Sequence, residues 1–163
     1  MRTTVFLLLL AMVVSGACKK KGNTCPPDIY TYAYKNNAQV DTLRNALTKQ
    51  LAAIVNTGSK RVFTYQWSPQ SCVPIADGPG GVILVFEADP DATHFKYTTD
   101  SLLARKCYYY YPCGECLPPT AAIPIGGTIE GTKVSDKKWK VDIDVKTYNS
   151  LTINSSADFA RAN

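Results

Sequence analysis

The stretch Cys107-Tyr108-Tyr109-Tyr110-Tyr111-Pro112-Cys113-Gly114-Glu115-Cys116 holds three of the six cysteines and four of the ten tyrosines in this chain. Its closing Cys-x-x-Cys pair is the arrangement of thiol–disulfide oxidoreductases. In those enzymes the first cysteine caps a helix, whose free N–H groups and dipole lower the thiol pKa. Here Leu117-Pro118-Pro119 follow directly, and two prolines in that position do not start a helix of useful length. The β-α-β pattern that gives the motif its meaning is also missing. In an exported protein such cysteines more often act as staples. Cys25, Cys72, Cys107, Cys113 and Cys116 are therefore disulfide candidates, with the pairing open. An envelope oxidoreductase using Cys113 and Cys116 is the alternative. Cys72, Cys107, Cys113 and Cys116 also make a four-cysteine set, but zinc sites usually carry two pairs of this spacing and here there is one. Neither a metal nor a cofactor is expected.

Other chemistries have less to build on. His94 is the only histidine, and no Gly-x-Ser-x-Gly elbow accompanies it, so no catalytic residue is assigned. The run Asp77-Gly78-Pro79-Gly80-Gly81 leads into a strand pattern without a following Lys-Ser or Lys-Thr, unlike a phosphate cradle. Asp89/Asp91 and Asp142/Asp144 read as turn and solvent-face carboxylates. The aromatics remain. Tyr30, Tyr32, Tyr34, Trp67, the four consecutive tyrosines and Trp139 could form a stacking platform for sugar or peptide, and Trp67, Tyr108 and Tyr110 are the candidate surface. The competing use is cross-strand packing within a sheet. Neighbours alternate sides in a strand, so Tyr108 and Tyr110 share one face and Tyr109 and Tyr111 the other.

The elements that must position these residues read mainly as β-structure. Trp139, Val141, Ile143 and Val145 alternate with Lys138, Lys140, Asp142, Asp144 and Lys146, the pattern of a half-exposed antiparallel strand. Its expected partner is 127–134, joined through a turn at 135–137. Tyr30–Tyr34, Val62–Trp67, the continuous apolar run Val82–Phe86, His94–Tyr97 and Tyr108–Tyr111 read as further strands. Leu151 and Ile153 suggest one more, before a polar tail at 154–163. Between them, 100–106 is either one helical turn or a loop. Leu43, Leu47, Leu51 and Ile54 fall on one helical face, which predicts a short amphipathic helix over 41–55. A hairpin pairing 51–55 with 60–67 is the other reading. The expected fold is an antiparallel β-sandwich or partly open barrel with one short helix, formed by a single domain over 29–163.

Hydrophobic residues make up 45% of the chain and charged residues 19%, a normal globular balance. The formal charge of +5 is concentrated: apart from Arg2 and Lys19, Lys20 and Lys21 the net charge is +1. That is not the spread of basic residues a nucleic-acid binder needs. Met1-Arg2, the apolar run Val5–Val14 and the small residues Ser15-Gly16-Ala17 have the layout of a signal peptide over 1–17. The residues from Val13 through Cys18-Lys19-Lys20-Lys21 resemble the leader end of bacterial lipoproteins, particularly those of the Bacteroidota. That resemblance implies lipidation of Cys18, a tether over 18–28 and anchoring in the bacterial cell envelope, at the outer membrane or periplasmic face. Ser15-Gly16-Ala17 also suits an ordinary signal peptidase. Asn154-Ser155-Ser156 keeps open a eukaryotic secreted protein carrying an N-glycan. The expected function is a non-enzymatic binding or structural module. Its partners would be the membrane, through the lipid, and an envelope protein or glycan.

Overall fold

The computed structural model describes residues 25–70, 80–112 and 120–162. Among them run β1 (Ile29–Arg44), β2 (Leu51–Thr57), β3 (Lys60–Ser68), β4 (Val82–Ala88) and β5 (His94–Thr98). One helical turn, α1 (Thr99–Leu102), leads to β6 (Tyr108–Tyr110), β7 (Gly126–Ser135), β8 (Lys138–Lys146) and β9 (Thr152–Arg161). The strands form one sheet in the order β5-β7-β8-β9-β1-β3-β4-β6, with β2 attached to β1 off that path. The sheet curls into an open half-barrel, so the mainly β reading holds. Pairing is antiparallel except where β1 meets β9. Among the described residues no helix is long and apolar enough to cross a membrane.

The alternation in β8 translates directly into burial. Trp139, Val141, Ile143 and Val145 are buried, and every residue between them is exposed. Opposite them on the concave face lie Phe63 and Tyr65 of β3 and Leu84 and Phe86 of β4. Phe63 is the hub. Its ring stacks on Phe86 at 5.2 Å and meets Phe95, Trp139 and Phe159 at 5.3, 5.4 and 5.8 Å. One aromatic side chain thus joins both arms of the curled sheet. Phe95 sits directly across from Gly131 in the β5–β7 ladder and covers its backbone. A Cβ at Gly131 would lie 2.2 Å from that ring, so this position takes no side chain without displacing the core.

Two elements differ from expectation. The segment 41–55 is not a helix. After an irregularity between Lys35 and Ala38, where Asn37 adopts φ 51°, β1 continues and pairs with β2 from Ala38↔Thr57 to Arg44↔Leu51. The leucines that suggested a helical stripe do not share a buried face: Leu43 is 62% exposed and Leu47, at the hairpin tip, 92%. Ala38 and Val40 are the residues buried here, against Val62 and Val85 on the convex side of the sheet. The rival hairpin also fails, since β2 pairs with β1 and not with β3. The β1–β2 hairpin instead forms a strap over the back of β3, β4 and β6. Buried Glu87 clamps it by accepting the Val40 N–H at 2.7 Å. Lys106 donates to the Val40 carbonyl at 2.8 Å and lies 3.3 Å from Glu87. Among the described residues the short helix is α1, which overlaps the start of the segment 100–106 read as a helical turn or loop.

The second correction is at the C-terminus. The supposed polar tail is β9, paired with β8 from Lys146↔Thr152 to Lys138↔Ala160. It looked polar because one face of the strand meets solvent, while small residues, Ser155 and Ala157, sit between Ile153 and Phe159 on the inner face.

Candidate functional site

Cross-strand register decides which aromatics share a surface. Tyr30 pairs with Trp67 and Trp67 with Val82, making one rung across three strands. The next rung is Tyr32, Tyr65, Leu84 and Tyr109. Directly opposed residues project to the same side, so both rungs face the concave interior. Tyr108 and Tyr110 pair with Val85 and Ile83 and project to the convex side, where Tyr108 packs beneath the strap. Trp67 therefore does not form a surface with Tyr108 and Tyr110. Its neighbour is Tyr30. The alternation of each strand was readable separately, but the pairing of β1 with β3 was not.

These rungs end at an opening. The parallel ladder between β1 and β9 consists of Ala33↔Ala160 and Tyr34↔Arg161. Toward the start of both strands the pairing stops and a cleft of about 210 Å³ opens, bounded by Tyr30, Tyr65, Trp67, Val82 and residues 151–154. Its rings are held from outside the cleft. The Trp67 indole donates to Asp28 at 2.9 Å, and the other Asp28 oxygen accepts the Gln70 N–H at 3.1 Å. Tyr30 stacks parallel on Tyr32, with centroids 6.3 Å apart and planes 5° from parallel. Tyr32 meets Phe159 edge-on at 5.4 Å and accepts the Ser155 hydroxyl at 3.2 Å.

The far wall is fixed as well. Thr147 N–H donates to the Leu151 carbonyl at 2.9 Å, closing the β8–β9 turn. That turn is tied to β6, because the Tyr109 hydroxyl accepts the Tyr148 N–H at 2.9 Å and the Tyr111 hydroxyl donates to Asn149 at 2.9 Å. Burial, with smaller contributions from Tyr32 and Tyr30, pushes the Tyr65 phenol up to about 12. It stays protonated at physiological pH. The cleft offers aromatic and apolar surface for stacking.

No family model, curated protein or solved structure matches this chain. The site is read from its own geometry.

The other candidates fall elsewhere. His94 is exposed on β5, with Nε2 3.1 Å from a Glu130 oxygen whose partner oxygen accepts from Lys96 at 2.9 Å. Asp142 and Asp144 are exposed on the convex face of β8, as their alternation implied. Asp89 is bridged by Lys60 at 2.9 Å and Arg105 at 3.1 Å. Cys107 requires a correction: it is a free thiol, fully buried in the core, and burial pushes its pKa well above the ordinary thiol value. It is not one of the staples. Cys72, Cys113 and Cys116 lie outside the described residues, as do the leader and Cys18.

Proposed function

We propose that this chain is an exported, lipid-anchored β-domain of the bacterial cell envelope. It acts as a non-enzymatic binding module whose ligand seat is the Tyr30–Trp67 cleft. The observation that carries the reading is an opening lined by aromatic rings that the fold holds in place. Pre-set rings bind without the entropy cost of ordering them at the moment of contact. The leader ending at Cys18 supports export and anchoring. Asp28, the residue that holds Trp67, sits at the end of the tether, so the anchored segment joins the domain beside the cleft. Support for disulfide staples comes from Cys25, which is disulfide-bonded.

Thermal unfolding of the mature protein against a panel of envelope glycans and extended peptides tests the binding reading. A ligand at 100 times its Kd adds about 2.7 kcal/mol, which raises Tm by roughly 5 °C or more in a domain of this size. The shift should fall to about half or less in Trp67→Ala. A panel in which nothing moves Tm, or in which Trp67→Ala responds like the parent protein, would remove the cleft as the seat.

A further inference from the structure

Resting on the reading of the cleft as a ligand seat, we infer that its ligand is an extended peptide segment of a partner protein. The segment adds as a strand in the fork where β1 and β9 part, with apolar side chains at alternate positions pointing into the cleft. Three observations point to this occupant.

The first is a free backbone edge. The Ala162 N–H donates to the Tyr34 carbonyl at 2.8 Å, which marks the side of β9 that faces β1. Residues two apart in a strand turn their backbone groups to the same side. Asp158, Ser156 and Asn154 therefore direct N–H and C=O toward β1, yet the ladder between the two strands holds only Ala33↔Ala160 and Tyr34↔Arg161. Counting back from Tyr34 in the same steps puts the backbone groups of Tyr30 at the fork as well.

The second is that this edge is left unguarded. At the ends of the sheet path, β6 is three residues long and is bridged through Tyr109↔Ala122. β5 is five residues long and carries His94 and Lys96, both held by Glu130. β2 is met at its start, where the Leu51 carbonyl accepts the Ala121 N–H at 2.6 Å. β9 runs in unbroken register with β8 from Lys146↔Thr152 to Lys138↔Ala160, and Thr152–Ala157 contains neither a proline nor a charged residue. Sheets ordinarily shorten, charge or kink an edge that is not meant to pair.

The third is what fits between two strands. An occupant flanked by β1 and β9 needs both of its own edges free. Every described strand of this chain already pairs with a neighbour, so a folded second copy does not supply one. A lone extended segment does. The tether run Lys19-Lys20-Lys21-Gly22-Asn23-Thr24 has no apolar side chains to place at alternate positions. The cleft calls for them, since Tyr30, Trp67, Val82 and Ile153 line it. At about 210 Å³ it is smaller than the roughly 300–1,000 Å³ of pockets that engulf drug-sized ligands. It takes individual side chains of a segment whose backbone stays at the edge.

The test uses the mature protein and four peptides in which Thr alternates with Val, Leu, Phe or Tyr over eight residues, with a lysine at each end. Each has a counterpart N-methylated at every Thr, which keeps the side chains and removes the donors along one edge. Cellohexaose and an N-acetylglucosamine hexamer are the comparison ligands. Affinity is read by calorimetry, contact at the cleft by acrylamide quenching, and strand pairing by amide exchange. The chain has two tryptophans, and Trp139 is fully buried, so quenching reports Trp67. At least one peptide is expected to shield Trp67 and to slow exchange at Asn154 and Ser156 by about tenfold or more. Ser155 and Ala157, which turn to β8, should not change. N-methylation should weaken binding by about tenfold or more. Ser156→Pro, which removes an N–H that faces the fork and not β8, should act in the same direction. Trp67→Ala should cost about tenfold or more, as truncation of a central aromatic anchor does. Leu47→Ala, at the exposed hairpin tip, should leave binding unchanged. Equal binding of the N-methylated counterparts, binding of a hexasaccharide alone, or Asn154 and Ser156 amides already protected in the free protein each overturns strand addition. The binding module stands wherever Trp67 is still shielded. Shielding of Trp67 by none of the probes overturns both.

Discussion

Trp139 and Lys140 are neighbours with opposite environments. The Trp139 ring is 0% exposed between Phe63 and Phe95, with the Arg61 guanidinium 4.8 Å from its centre. Its indole N–H is buried without a hydrogen-bond partner, a cost that the cation–π contact offsets in part. Lys140, one residue on, is exposed on the convex face. Trp139→Ala should destabilise by about 3–5 kcal/mol through the cavity it leaves, whereas Lys140→Ala should cost roughly 0.5 kcal/mol or less. Denaturant unfolding with matched m-values measures both, and equal losses would contradict this placement. At this scale the sequence was informative, because a strict period of two assigns each residue of β8 a side.

The strap shows how an element escapes such reading. Leu43, Leu47, Leu51 and Ile54 recur at helical spacing, yet the segment holding them is the end of one strand, a tight turn and the start of another. The turn is made by Asn45, whose side-chain oxygen accepts the N–H groups of Leu47 at 2.8 Å and Thr48 at 3.0 Å. What keeps the strap against the sheet comes from residues more than forty positions away. The Glu87 carboxylate and the Lys106 ammonium hold the two backbone groups of Val40. Glu87→Ala leaves the buried Val40 N–H without an acceptor and should cost about 1–3 kcal/mol. Amide exchange across β2 should accelerate with it. Glu87→Gln keeps an oxygen in reach of Val40 and should lose less. Exchange in β2 that is indifferent to both substitutions would mean that Glu87 does not clamp the strap.

For the whole molecule, the buried Cys107 changes the cysteine accounting. Lipidation of Cys18 would leave five of the six cysteines, an odd number. With Cys107 in the core as a free thiol, the remaining Cys25, Cys72, Cys113 and Cys116 can pair completely. Intact-mass analysis of the native product is expected to show acylated Cys18 as the N-terminus, two disulfides, and one thiol that alkylates only after unfolding. Structural bonds of this kind hold against reductants down to potentials below about −300 mV. An unmodified Cys18 would remove the anchor. A Cys113–Cys116 bond that reduces at about −120 to −270 mV and turns over a model disulfide would favour the oxidoreductase instead.

By itself, the sequence determined what depends on neighbours along the chain. Alternation in β8, the apolar run of β4 and the sides taken by Phe63, Tyr65 and Trp67 follow from the two-residue period of a strand, which needs no partner to be read. Tertiary structure alone decided which strands meet. A period of two says which residues share a face but not which face lies opposite, and register is a long-range quantity. Tyr30 and Trp67 are far apart in sequence and became one rung only through the β1–β3 ladder. The β4–β6 ladder put Tyr108 and Tyr110 on the other side. The cleft itself exists because two parallel strands pair at one end and part at the other, and neither strand carries any mark of that in its own residues.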